Sequence, residues 1–140
     1  MVFDELAAPF SLANYKLNAL VVKVYDGDTI KAVFPIPGLP KDYRWDCRIL
    51  GIDTPELRRS SDHEKKWGLR ARDRLRELIL GKEVILDLGE FDKYGRVLTK
   101  VYLLDGTDVG DKLIEEDLAR PYTGKGAKTL WDDLTFVGNL

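Results

Sequence analysis

Alternating apolar and polar residues in the first half of the chain predict three β-strands. The strand-forming runs cover 20–25, 29–34 and 44–52, and an Asp-Gly-Asp turn separates the first two runs. Three prolines within 35–40 predict a loop before the third run, because proline cannot donate a hydrogen bond to a strand ladder. Alternation in the third run places Arg48 on an apolar face, where a buried guanidinium needs an anionic partner.

The hydrophobic pattern becomes helical after the third run. Ser61, followed three residues later by Glu64, has the form of a capping box, and Gly81 is typical of a helix end. The positions expected to face the core recur at helical spacing: Trp67, Ala71, Leu75, Leu78 and Ile79. Two further strands, 83–88 and 97–103, flank a loop and predict a β-hairpin.

Five strands with a helix after the third predict an α+β fold, namely a five-stranded OB-like β-barrel with two or three flanking helices. A second helix is predicted at about 109–118 behind the cap residue Asp108, and a short last helix at 129–134. Residues 1–18 lack clear periodicity and are expected to form an N-terminal arm. Residues 19–140 then form a single domain, because a chain of 140 residues is within the usual length of one domain.

The charge of the chain is slightly negative overall but unevenly distributed. The net charge of −2 argues against a broad basic surface of the kind that many nucleic-acid-binding proteins carry. Residues 41–100 nevertheless hold 15 lysines and arginines against 12 acidic residues, whereas the rest of the chain holds 7 against 12. An enzyme that binds one or two phosphates locally needs only such a basic segment.

The chain shows no sign of export or membrane insertion. The single cysteine, Cys47, excludes an internal disulfide. The N-terminal residues lack the basic and apolar regions of a signal peptide, and no segment approaches membrane-spanning length. We therefore expect a cytoplasmic monomer without a membrane partner.

Three separated segments contain the residue types needed to break a phosphodiester bond. Arg48 and Arg96 can each bind a phosphate through two parallel hydrogen bonds. Asp53 and Glu56 lie three residues apart on one bend and offer the carboxylate oxygens that hard cations prefer. The Asp-Gly-Asp turn that ends at Asp28 adds two more carboxylates. Each segment alone is also typical of an ordinary turn, but the combination favours a metal-dependent nuclease.

The single histidine contributes little to this hypothesis. His63 falls in the first turn of the predicted helix, where a solvated surface position is expected. Water must then be activated by a carboxylate, a metal ion or both, and ligands that are all oxygen favour Ca²⁺ or Mg²⁺ over zinc. Arg58 and Arg59, which follow Glu56, are better placed to steer a polyanion than the arginines of the helix.

These segments resemble those of the staphylococcal nuclease family in their order and internal spacing. The similarity rests on Asp-Gly-Asp-Thr, on Arg-x4-Asp-Thr-Pro-Glu and on Asp-Lys-Tyr-Gly-Arg, and it runs from about Val21 to Tyr122. The resemblance implies an OB-like barrel with three helices and calcium-dependent hydrolysis of DNA and RNA. It also implies that relatives of this chain are often secreted.

The resemblance also implies which residues would bind the metal ion and activate water. By motif position, Asp28 and Asp53 correspond to the calcium-binding carboxylates, and Thr54 to the residue that lends its backbone carbonyl. Glu56 corresponds to the residue that positions or deprotonates the attacking water.

The remaining correspondences concern the substrate. Arg48 and Arg96 correspond to the arginines that hold the phosphate, and Lys93 and Tyr94 to a pair that contacts the nucleotide. Tyr122 is the candidate for the tyrosine of the family's base pocket.

Two departures from the family pattern and two alternative functions stay open. The segment between Thr29 and Arg48 is several residues longer than usual in the family, and the chain after Tyr122 is shorter. One alternative is an OB-type module that binds single-stranded nucleic acid without cutting it, and another is a calcium- or nucleotide-binding regulatory domain. The presence of every acidic residue and arginine of the motifs favours the enzyme.

Overall fold

A closed five-stranded barrel forms the centre of the computed structural model, which describes residues 7–58 and 60–123. In chain order the elements are β1 (Lys16–Val24), β2 (Thr29–Pro35), β3 (Asp42–Ile49), β4 (Ile52–Asp53), α1 (Asp62–Ile79), β5 (Glu83–Phe91), β6 (Val97–Tyr102), α2 (Val109–Glu115) and β7 (Arg120–Pro121). The barrel order is β1-β2-β3-β6-β5, and β4 pairs with β7 in a separate two-stranded sheet. All neighbouring barrel strands are antiparallel except β3 and β6, which are parallel. The predicted α+β OB-like barrel is confirmed.

The first strand and the third strand-forming run differ from the prediction in ways that affect the site. The first strand begins at Lys16, inside the segment predicted as an arm, because its first residues pair with β5. The third run is split by Gly51, whose φ of +87° bends the chain between β3 and β4. Arg48 and its neighbours Cys47 and Ile49 are all buried, so both faces of this end of β3 are covered.

Helix α1 follows the predicted cap and core positions closely. The Ser61 hydroxyl accepts a hydrogen bond from the Glu64 N–H, and Gly81 has the positive φ of +74° expected after the helix. The predicted core positions are buried except Leu78, which is partly buried. The Glu64 carboxylate accepts a hydrogen bond from the Glu56 N–H at 2.7 Å, which ties the start of the helix to the loop after β4.

Two glycines allow the loop after β4, the β1–β2 turn and α1 to approach one another closely. A Cβ at Gly27 would lie 2.8 Å from the Thr54 side chain and 2.9 Å from the Ala71 Cβ. A Cβ at Gly68 would lie 2.8 Å from the Pro55 carbonyl oxygen. Because real Cβ atoms do not make such contacts, glycine is required where the two acidic segments meet the helix.

The second half of the barrel also agrees with the sequence. The β5–β6 hairpin is present, and α2 begins behind Asp108, whose carboxylate accepts the Asp111 N–H at 3.0 Å. Helix α2 ends at Glu115, before the predicted end at 118. The predicted last helix at 129–134 lies outside the described residues. No helix in the described part of the chain is long and apolar enough to cross a membrane.

Candidate active site

The site is built around the buried guanidinium of Arg48. Its Nη1 atom donates hydrogen bonds to the backbone oxygens of Ile49 at 2.6 Å and Ile52 at 3.0 Å. Its Nη2 atom lies 3.3 Å from Asp28 Oδ2 and 3.7 Å from Asp53 Oδ1. The Gly51 bend therefore folds β4 over β3 so that one arginine contacts both acidic segments, which supplies the anionic partners expected from the sequence.

Asp28 is held by contacts from three directions. Its Oδ2 atom accepts the Thr54 N–H at 3.3 Å in addition to its ion pair with Arg48, and its Oδ1 atom accepts the Thr29 hydroxyl at 3.2 Å. Asp53 and Thr54 are almost completely buried, with relative exposures of 1% and 2%. The β1–β2 turn and the β4 segment thus bring two acidic side chains to the same buried guanidinium.

Asp26 is a residue of this site to which the sequence analysis gave no role. Its Oδ1 atom accepts the Asp28 N–H at 3.0 Å, which shapes the turn. Burial, together with the neighbouring Asp28 carboxylate, raises the pKa of Asp26 to about 7. The pairing of two acidic residues in one turn was visible in the sequence, but their burial was not. Burial and the neighbouring Asp28 carboxylate therefore disfavour the ionised form of Asp26.

Arg96 approaches the same turn from the β5–β6 hairpin. Its Nε atom donates a hydrogen bond to Asp92 Oδ2 at 2.7 Å, and its Nη1 atom donates to the Thr29 hydroxyl at 3.4 Å. Asp92 Oδ1 also accepts the N–H groups of Tyr94 and Arg96. Burial raises the pKa of Asp92, but the hydrogen bonds from Arg96 and Tyr94 outweigh it and lower the pKa below its ordinary value. Asp92, which the sequence analysis did not assign, therefore orients Arg96.

A cleft of about 570 Å³ opens beside the two arginines. Its lining consists of Arg48, Leu50, Gly51, Asp92, Lys93, Tyr94, Arg96, Leu98, Tyr122 and Thr123. The lining includes both arginines predicted to hold the phosphate and all of the residues predicted to contact the nucleotide. The structure therefore brings these residues together around one space.

Aromatic rings lie against the cations in this cleft. The Arg48 guanidinium lies 6.0 Å from the centre of the Tyr122 ring, and the Arg96 guanidinium lies 5.5 Å from that of Tyr94. The Lys93 ammonium lies 5.1 Å from the same Tyr94 ring, which is 72% exposed. The cleft thus combines permanent positive charge with planar surfaces, which suits a ligand that has both a phosphate and a base.

Glu56 is fixed through its main chain. Its N–H donates to Glu64, its carbonyl oxygen accepts the Ser60 hydroxyl at 2.8 Å, and its side chain is exposed. Glu56 is not among the described residues that line the cleft. The nearby Arg58 is exposed, whereas Arg59 lies outside the described residues.

Acidic side chains alone do not form a complete metal site. Among the described residues, no three histidine, cysteine or acidic side chains converge closely enough to hold a metal ion. Asp28 and Asp53 nevertheless approach the same Arg48 Nη2 atom, which is buried and makes no hydrogen bond within the described part of the chain. The two side chains offer carboxylate oxygens, the donor type that hard cations prefer, so their chemistry fits such an ion if water or substrate supplies further ligands.

Comparison with known proteins identifies the family to which the chain is related. The family model described as Staphylococcal nuclease homologue matches residues 46–134. Endonuclease YncB of Bacillus subtilis is 35% identical over 121 residues, which cover 84% of this chain and 54% of the relative. A protein of Escherichia coli named as an uncharacterized endonuclease is 32% identical over 106 residues, which cover 76% of this chain and 61% of the relative.

A third relative, the SPbeta prophage-derived endonuclease YokF of Bacillus subtilis, is 36% identical over 101 residues, covering 70% of this chain and 32% of the relative. The match spans between about one third and three fifths of the length of these relatives. The family match nevertheless includes Arg48, Asp53, Glu56 and Arg96, and the structure has the five-stranded barrel expected from the sequence. The chain belongs to the family of staphylococcal nuclease homologues.

Proposed function

We propose that this protein is a calcium-dependent nuclease that hydrolyses phosphodiester bonds in DNA, RNA or both. The observation that carries the proposal is the convergence of Arg48 and Arg96 on one cleft, next to the buried carboxylates of Asp28 and Asp53. Family membership and the relatives named as endonucleases support the same function.

The two arginines would hold the phosphate and stabilise the charge that develops on it. Two backbone oxygens fix Arg48, and Asp92 fixes Arg96, so both guanidinium groups are held in place beside the cleft. Attack of water on phosphorus adds negative charge to the phosphate oxygens in the transition state. Fixed donors aimed at that charge stabilise the transition state more than the substrate.

Asp28, Asp53 and the Thr54 carbonyl would hold the calcium ion. When bound, this ion supplies positive charge beside the phosphate and makes a neighbouring water more acidic. The protein itself orients the Asp28 carboxylate, because the Thr29 hydroxyl and the Thr54 N–H both donate hydrogen bonds to it. The hydrogen bond from the Thr29 hydroxyl to Asp28 and that from Arg96 to Thr29 join the metal-binding turn to the second arginine.

Glu56 would orient the attacking water and accept its proton. In this step a bond forms between the water oxygen and phosphorus, and one phosphorus–oxygen ester bond breaks. The water proton passes to the Glu56 carboxylate, and the departing oxygen takes up a proton from solvent. Glu56 is suited to this role because it follows Asp53 by three residues on a loop that Glu64 ties to α1.

Lys93, Tyr94 and Tyr122 would contact the nucleotide next to the reacting phosphate. Their side chains line the same cleft as the arginines, and Leu50 and Leu98 add apolar surface to it. This lining favours a phosphate that is attached to a base over inorganic phosphate.

The purified chain should be incubated with end-labelled DNA and RNA in calcium, in magnesium and in excess chelator. The proposal predicts cleavage of at least one nucleic acid with calcium and none with chelator. Cleavage that persists in chelator would show that hydrolysis does not require a metal ion, which contradicts the proposed calcium dependence. Binding of the labelled strand without cleavage under any condition would instead support the non-catalytic OB module.

A further inference from the structure

Two lysines share one tyrosine on the outer surface of β1 and β2. The Lys23 ammonium lies 4.6 Å from the centre of the Tyr25 ring, and the Lys31 ammonium lies 5.9 Å from it. Lys23 and Lys31 are direct partners in the β1–β2 register. We call Lys23, Tyr25 and Lys31 the lysine–tyrosine surface. None of the three lines the cleft or has a role in the proposed reaction.

This surface is continuous with the candidate active site. The Tyr25 N–H donates to the Thr29 backbone oxygen at 2.9 Å, and the Thr29 hydroxyl accepts the hydrogen bond from Arg96. Thr29 and Lys31 lie two positions apart on the same face of β2, which corresponds to roughly 6.6 Å along a strand. The lysine–tyrosine surface therefore begins at Lys31, two positions along β2 from Thr29, which contacts Arg96. It lies outside the cleft.

Asp46 is the acidic side chain that contacts Tyr25 and Lys31 of this surface. Asp46 accepts the Tyr25 hydroxyl at 3.3 Å and lies 3.8 Å from the Lys31 ammonium. The negative charge of Asp46 offsets the positive charge of Lys31, and its hydrogen bond from the hydroxyl holds the Tyr25 ring beside the two lysines. Lys23 is exposed. A positive charge beside a fixed aromatic ring is the combination that binds the backbone and bases of single-stranded nucleic acid.

We propose that the lysine–tyrosine surface binds the substrate strand beyond the phosphate that is cleaved. This inference rests on the proposed nuclease function and extends it. The strand would pass from the two arginines across Thr29, so that Lys23 and Lys31 contact a neighbouring phosphate and Tyr25 contacts its sugar or base. Longer strands are then better substrates than short ones, because only longer strands reach this surface.

The test compares the double variant Lys23→Gln/Lys31→Gln with wild type by measuring kcat/KM on two substrates. The long substrate is a single-stranded oligonucleotide of about twenty nucleotides, and the short substrate is a nitrophenyl ester of a single nucleotide. The ratio of kcat/KM between the long and short substrates should fall about 3- to 10-fold in the variant. The slope of log KM against log salt for the long substrate should become shallower by about 0.7 for each phosphate that the variant no longer binds. The matched control is Lys16→Gln, because Lys16 also lies over a tyrosine, 5.6 Å from the Tyr102 ring, at the far end of β1.

An equal loss on both substrates would overturn the proposal, because it would indicate a disturbance of the active site instead. An unchanged salt slope, or the same change in Lys16→Gln, would also overturn it. Affinity for the labelled oligonucleotide, measured by fluorescence anisotropy with calcium, gives a readout that does not need cleavage. If the double variant binds more weakly and with less salt dependence, the lysine–tyrosine surface binds the strand, even if wild type does not cleave it. Equal binding by both proteins would contradict the proposal.

Discussion

Nη2 of Arg48 lies 3.3 Å from Oδ2 of Asp28, so a permanent cation and a candidate metal ligand share one buried position. Each charge offsets part of the other's desolvation cost, which allows both to be buried beside Asp53. A ligand that binds one of these groups changes the charge felt by the other. Phosphate binding by Arg48 and cation binding by Asp28 are therefore expected to be coupled, so calcium should raise the affinity for a nucleotide and the nucleotide should raise the affinity for calcium.

Removing one carboxylate should abolish the response to calcium. Calcium at about 100 times its dissociation constant should stabilise wild type by about 2.7 kcal/mol. We expect Asp53→Asn to lose this gain, because one of two acidic ligands is gone. The measurement is the melting temperature of each protein with and without calcium, which cancels any change in stability that the substitution causes by itself. Asp42→Asn, at an exposed position on β3, is the control. An equal calcium response in Asp53→Asn would exclude Asp53 as a ligand.

Replacing either arginine by lysine should slow the chemical step. Lysine keeps the positive charge but loses the planar fork that can donate two parallel hydrogen bonds to phosphate. We expect Arg48→Lys and Arg96→Lys each to lower kcat by roughly 10²-fold, which is the scale for one lost donor to the transition state. The measurement is single-turnover cleavage with saturating calcium, with Arg70→Lys on the exposed face of α1 as the control. A lysine variant that cuts at the wild-type rate would mean that the arginine has only a structural role.

Gly27→Ala should destabilise the protein through the contact between the β1–β2 turn and Thr54. The added Cβ would lie 2.8 Å from Thr54 Cγ2, and the buried surroundings offer little room for relaxation. Overpacking of this kind costs about 1–3 kcal/mol. Urea unfolding gives the free energy of unfolding for comparison with wild type. Thr54→Ser removes the clashing methyl group, so adding it to Gly27→Ala should recover part of the stability. A Gly27→Ala protein as stable as wild type would show that the turn and Thr54 are not in such close contact.

The barrel and α1 could be predicted because their signals are local. Alternation marks the strands, while Ser61, Glu64 and Gly81 mark the helix ends within a few residues of where they act. The burial of Arg48 could also be predicted, because the alternation of the third strand-forming run places this arginine on the apolar face. The start of β1 at Lys16 was missed, because this short first stretch is defined as strand by its pairing with β5, which lies far along the chain.

The contacts that complete the site depend on barrel closure and could not be predicted from spacing. Thr29 and Arg96 are 67 positions apart, and their contact exists because the β5–β6 hairpin returns beside β3. The close approach of α1 to the acidic turn, where a Cβ at Gly27 would lie 2.9 Å from the Ala71 Cβ, likewise depends on the folded structure. Motif resemblance pointed to five residues that line the cleft, namely Arg48, Lys93, Tyr94, Arg96 and Tyr122. The positioning contacts of Asp92 and Thr29 became visible only in the folded structure.

The most direct test of the account is a paired measurement on wild type and Glu56→Gln, comparing oligonucleotide affinity with single-turnover cleavage in calcium. Glutamine keeps the shape of the side chain but cannot accept the water proton, so binding should stay within about two-fold of wild type. Cleavage should fall by roughly 10²- to 10⁴-fold, the usual loss when a general base is removed. Unchanged cleavage would remove Glu56 from the mechanism, and strong binding with no cleavage by wild type would contradict the assignment of this protein as a nuclease.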